Sequence, residues 1–324
     1  MILCSDVIIH ICEFISTREM LSLTLTCRDF HSIILFDEKT MKNHTFTVRK
    51  KVDNLKFLEK ISFRVLNLRL QYNPISDNDF SFIRGIHTLN MSHCNQTTIT
   101  DEAFVHLKGI HTLDISHCNQ TTITDKAFEN LKGIHTLDMS WCNQKWITDK
   151  AFENLKGIHS LNMSGCKKIT GKSFENLKGI HTLIMSRCNQ TKITDETFVH
   201  LKGIHTLNMS HCNQTTITDK AFQNLKGIHT LNMSHCYQKT ITDKAFDNLK
   251  GIHTLDISGC DQETITDRAF MHLEGIHTLG MLGCNQETIS DKSFIHLEGI
   301  NRIKMNTTRF NRIKINPKIQ ISTI

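Results

Sequence analysis

Proline is nearly missing from this chain: Pro74 and Pro317 are the only two in 324 residues. No Pro-rich linker can divide it, and regular structure is free to run almost end to end. No stretch reaches the ~18 uninterrupted apolar residues of a membrane span, which excludes a helical transmembrane reading. The first sixteen residues, MILCSDVIIHICEFIS, are apolar but lack a basic start, and Asp6, His10 and Glu13 interrupt them, unlike a secretory signal. With no export signal in view, the twelve cysteines are expected to be reduced thiols of a cytoplasmic or nuclear protein. Acid is absent from residues 299–324, which carry Arg302, Lys304, Arg309, Arg312, Lys314 and Lys318. The whole net charge of +6 therefore sits at one end of a balanced body. That distribution argues against nucleic acid, whose binding needs several cations on one surface.

What the chain has in abundance is repetition. One period reads GIHTLNMSHCNQTTITDEAFVHLK from Gly85 to Lys108, and it restarts at Gly109, Gly133, Gly157, Gly179, Gly203, Gly227, Gly251 and Gly275. Eight of the nine copies have 24 residues, and the one at Gly157 has 22, shortened after Cys166. Alternation around Leu89 and Met91 predicts a strand with one buried face. Thr100 suits the cap of a short helix, Asp101 its positive end, and Gly109 its stop. One copy buries almost nothing alone. Stacking would place Ile86, Leu89, Met91, Cys94, Ile99, Phe104 and Leu107 under their equivalents, with parallel strands about 4.8 Å apart.

That spacing, followed by Ile99-Thr100-Asp101 and by Phe104 with Leu107, resembles a leucine-rich repeat of the cysteine-containing subclass. A degenerate copy, residues 65–84, precedes the nine in 85–298, and a strand around Ile300, Ile303 and Met305 follows. The resemblance implies a curved α/β solenoid with strands lining the inner face and short helices outside. Residues 46–64 are expected to be a linker or cap, and 299–324 a capping strand with a basic tail. In that tail Arg312-Ile313-Lys314-Ile315 suits an edge strand whose cations discourage further stacking.

Residues 1–45 change pattern to helical spacing. They resemble an F-box, through Leu3, Ile8, Ile11, Phe14, Ile15, Met20, Leu21, Leu25, Cys27, Arg28 and Phe30. Cys4 and Phe30 stand where that family usually has proline and tryptophan. The resemblance implies docking on a Skp-type adaptor of a cullin-RING ubiquitin ligase; the alternative is a helical cap on the solenoid. The uniformity of the repeats with an F-box is also similar in style to arrays of giant DNA viruses, which would place the protein in host cytoplasm.

Two histidine columns invite a metal reading, one from His87 to His277 and one at His93, His117, His211 and His235. The first lies at the entry to each strand, without a carboxylate beside it in the copy. In the second, strand geometry sends each adjacent cysteine to the core and each histidine to solvent. Neither is taken as a metal site, no cofactor is expected, and no nucleophile with an attendant base stands apart from the repeat. The chain is expected not to be an enzyme. Binding information is sought instead in positions that vary along the inner surface: Asp114, Asp138, Trp141, Trp146, Asn162, Ile184, Arg187 and Asn208. Aromatics and arginine are favoured interface anchors. The reading is a substrate-recognition subunit that binds a protein target; the alternative is an interaction scaffold without ligase recruitment.

Overall fold

A computed structural model of the chain describes residues 45–48, 55–56, 65–68, 75–297, 299–306 and 320–323. The F-box-like positions from Leu3 to Phe30 and the stretch Arg312–Ile315 lie outside the described residues. The chain forms two compact units, Met1–Leu155 and Lys156–Ile324.

In the first unit five parallel strands follow chain order: β1 (Thr45–Val48), β2 (Val65–Leu68), β3 (Thr88–Asn90), β4 (Thr112–Asp114) and β5 (Thr136–Asp138). The stretch expected to be a linker or cap, residues 46–64, contributes most of β1. The degenerate copy, residues 65–84, opens on β2 and places Leu66 in register with Leu89. In the second unit β6 (Ser160–Asn162), β7 (Thr182–Ile184), β8 (Thr206–Asn208), β9 (Thr230–Asn232), β10 (Thr254–Asp256) and β11 (Thr278–Gly280) repeat the arrangement. β12 (Arg302–Met305) and β13 (Gln320–Thr323) extend it.

Three residues per strand suffice because pairing continues into the turn. Met91 N–H donates to the Asp114 carbonyl at 2.9 Å and His93 N–H to that of Ser116 at 2.8 Å. The expected core columns are buried: Ile86, Leu89, Met91, Cys94, Ile99, Phe104 and Leu107 are at most 3% exposed. On the side away from the strands the expected helix is mostly a short 3-10 helix of about two turns, such as Asp125–Leu131, with one α turn in copies such as Asp101–Phe104. A 3-10 turn rises more per residue, so a short copy can cross that side with few residues. Thr100 caps as expected, its hydroxyl accepting from Glu102 N–H at 3.2 Å. Gly109, at φ +84°, ends the turn in the left-handed region that glycine enters without strain.

Three ladders bind one copy to the next. The Asp101 carboxylate accepts from the backbone N–H and the hydroxyl of Thr124, both at 2.7 Å. Asp77, Asp125, Asp195, Asp219 and Asp243 do the same for the next threonine, and Asp267 for Ser290. Its main partner is therefore the following copy, beyond the helix end that the sequence suggests. In the second ladder the Cys118 thiol donates to the Met91 carbonyl at 3.2 Å and Cys212 to that of Met185 at 3.1 Å. The cysteines are more than apolar filler: the buried thiols of Cys118, Cys142, Cys188, Cys212, Cys236, Cys260 and Cys284 each meet a backbone acceptor. In the second unit, glutamines such as Gln214 donate from Nε2 to a cysteine carbonyl, here Cys188 at 3.0 Å.

One copy departs from the aspartate ladder. Gly171 stands where the others have aspartate, and the hydroxyl of Thr197, in place of the usual alanine, accepts from Thr194 N–H at 3.1 Å. A Cβ at Gly171 would lie 2.5 Å from the Lys192 carbonyl oxygen and 2.6 Å from the Thr197 hydroxyl. The two exceptions fit one another.

Candidate interaction surface

Each copy presents four outward positions along its strand and one in the turn after it. In the copy at Gly85 these are His87, Thr88, Asn90, Ser92 and His93. The backbone beneath is hydrogen-bonded to its neighbours, so the surface speaks through side chains. Asn90 uses Oδ1 to accept from Ser92 N–H at 3.0 Å, and Asp114 does the same for Ser116 at 2.9 Å. Asparagine and aspartate are thus interchangeable in geometry and differ in charge.

The first histidine column is a stack. In the first unit the rings of His87, His111 and His135 lie 4.4 and 4.5 Å apart, nearly parallel. In the second, six rings from His159 to His277 follow at 4.5 Å. In the eight copies where threonine follows the histidine, Nδ1 meets that threonine's hydroxyl, as in His229 with Thr230 at 3.1 Å. Face-to-face stacking leaves ring lone pairs parallel, whereas a shared ion needs them convergent. Among the described residues no group of three or more His, Cys, Asp or Glu is arranged to hold a metal ion. Desolvation, then the neighbouring His205 and His253, hold the His229 imidazole below its ordinary value.

The turn position carries a constraint that the sequence hides. His93, His117, Trp141, Arg187, His211 and His235 all have φ between 56° and 61°, and Gly165, Gly259 and Gly283 occupy the same place with φ of 68–74°. A non-glycine residue in the left-handed region costs on the order of 1 kcal/mol or more. The glycines were the only available signal. Side chains here also stack: His93 on His117 at 4.4 Å, His117 beside Trp141 at 6.0 Å, and His211 on His235 at 4.4 Å. The His211 imidazole is held low by desolvation, then by Arg187 and His235.

The sequence-selected positions divide between the units. Asp114 and Asp138 are register partners at the C-terminal ends of β4 and β5, and Trp141 is in the turn after β5. Trp146 is half exposed on the loop toward the helical side, with the Lys145 ammonium 4.4 Å from its ring centre, so it does not join the strand-face columns. In the second unit Asn162, Ile184 and Asn208 occupy one column at the C-terminal ends of β6, β7 and β8, and Arg187 is exposed in the turn after β7.

Two repeat families match the sequence: the BspA type leucine-rich repeat region, six copies, over residues 48–181, and a second leucine-rich repeat over 178–238. The chain carries leucine-rich repeats. No curated protein matches the sequence. Among solved structures, these leucine-rich repeats superpose on a chain of the Drosophila Toll–Spatzle complex with TM-score 0.60 and 12% identity, over 88% of this chain and 48% of that one. A chain of the mouse RP105/MD-1 complex gives 0.57 and 17%, over 83% and 52%. The chain spans about half the length of these solved chains. The likeness is one of leucine-rich-repeat fold: parallel strands on one side, short helical turns on the other. No helix among the described residues is long and apolar enough to cross a membrane.

Proposed function

We propose that the protein is the substrate-recognition subunit of a cullin-RING ubiquitin ligase of the Skp-adaptor type. The leucine-rich repeats capture a protein target on their strand face, and the F-box-like residues from Leu3 to Phe30 dock on the adaptor. The observation that carries the reading is the pairing of that F-box pattern with repeats whose strand side displays varied side chains over a hydrogen-bonded backbone. Both solved chains of like fold were found in complexes with another protein, which supports target capture. On this reading the chain has no catalytic residue or cofactor of its own, and it works in cytoplasm or nucleus.

Capture of a purified Skp-type adaptor by the full chain tests the proposal. Binding to the wild type and loss in Leu21→Asp and Phe14→Asp is the expected result; no capture by the wild type overturns ligase recruitment. The second reading, an interaction scaffold without recruitment, is favoured by the fold itself and would survive that result.

A further inference from the structure

We propose that the strand face of the first unit recognises arginine side chains of its protein partner, through the carboxylates of Asp114 and Asp138 and the ring stack that ends in Trp141. The inference rests on target capture by the repeats and names the chemistry of that capture.

Charge selects the occupant. Across the five outward columns of copies at Gly85, Gly109 and Gly133, the only formal charges are the carboxylates of Asp114 and Asp138; no lysine or arginine is present there. The two are adjacent in register and half-buried, so part of their hydration is already gone. Asp114 keeps one oxygen on Ser116 N–H and the other on the Asn90 amide at 2.8 Å, which fixes its orientation. The second unit differs: its outward positions include Arg187, with Arg302 and Lys304 exposed on β12, against Asp256. A cationic partner is drawn to the first face and not to the second.

The rings narrow cation to arginine. Three residues after Asp114 and Asp138, His117 and Trp141 lie near-parallel with centres 6.0 Å apart, wider than the 4.4 Å between His93 and His117. Both are held in left-handed turns, which projects them in the same way from successive copies. A guanidinium is planar, stacks on aromatic faces and offers a fork to carboxylates, whereas an ammonium is a hydrated point charge. Carboxylates and an indole displayed outward by the same two copies match the former.

The repeat itself supplies mild variants. Asparagine occupies the aspartate position at 90, 162, 208 and 232, and its amide oxygen still accepts from the serine N–H at 208 and 232. Histidine is the usual residue where Trp141 stands. Asp114→Asn with Asp138→Asn, and Trp141→His, therefore change charge or ring while keeping the column.

The test titrates full-length protein into two fluorescein-labelled 12-residue peptides, one alternating arginine with serine and one alternating lysine with serine, read by anisotropy at physiological salt. The arginine peptide is expected to bind and the lysine peptide to bind several-fold more weakly. The double asparagine variant should lose about tenfold in affinity, equivalent to about 1.4 kcal/mol. Trp141→His should lose several-fold, and Glu175→Gln, exposed in the helical segment Gly171–Leu177 of the second unit, should leave affinity unchanged. Circular dichroism melts of each variant confirm the fold. No binding of the arginine peptide, equal binding of the lysine peptide, or affinity unaffected in the double variant overturns the proposal. Adaptor capture is independent of this face, so failure here with capture intact overturns arginine recognition alone, and the reverse result overturns ligase recruitment alone.

Discussion

Gly171 shows how one position in a periodic structure is set by the next copy, through Lys192 and Thr197. Alanine usually improves on glycine by reducing the freedom of the unfolded chain. Here its methyl would press on the backbone carbonyl of Lys192, which cannot rotate away. Gly171→Ala is expected to lower stability by about 1 to 3 kcal/mol, as overpacking does, measured by urea denaturation. The same contact explains why the position is hard to read from sequence. Asp101, too, presents itself as a helix-end charge, because its partner Thr124 is in the next copy and leaves no local pattern. The apolar columns are legible for the opposite reason: Leu89, Met91 and Phe104 announce their burial through spacing within one copy. Left-handed turns fall between. Gly165, Gly259 and Gly283 reveal the requirement, while the histidines and Trp141 at the same place conceal it.

At the scale of an element, the six-ring column of the second unit couples its histidines. A proton on His229 brings positive charge 4.5 Å from the rings of His205 and His253. Its folded pKa lies below the ordinary 6.5, first through desolvation and then through those neighbours. His211 is lowered too, by desolvation and then by Arg187 and His235. Both groups are thus more easily protonated in the unfolded chain. Stability is whole above the unfolded value, falls as pH drops below about 6.5, and stops falling once pH is beneath the depressed folded values. The urea midpoint should therefore decrease between pH 7.5 and 5, and the decrease should be smaller in high salt, which screens the ring-to-ring part. A midpoint independent of pH over that interval would contradict this account.

For the whole molecule, nearest-neighbour ladders imply that a copy can be removed if its phase is kept. Deleting residues 227–250 leaves Asp219 facing Thr266 and Cys260 facing the Met209 carbonyl, the same pairs that now join Asp219 to Thr242 and Cys236 to Met209. The second unit should keep its circular dichroism and unfold with a smaller urea dependence, in proportion to the surface lost. Deleting 227–246 removes four residues fewer and should abolish that fold, because every column beyond it is displaced. Equal tolerance of the two deletions would show that the ladders do not set the phase.

The buried thiols also make the protein its own recorder of motion. Burial pushes the Cys94 thiol up to about 11 and those of Cys188 and Cys236 up to about 12, and the nine cysteines from Cys94 to Cys284 are buried thiols outside any disulfide. An alkylating reagent needs both access and thiolate, and the closed stack denies it both. Label at any of these nine sites would date an opening of the copy that contains it, so pulse alkylation read by peptide mass would give a map of local unfolding along each unit, without a probe having been added.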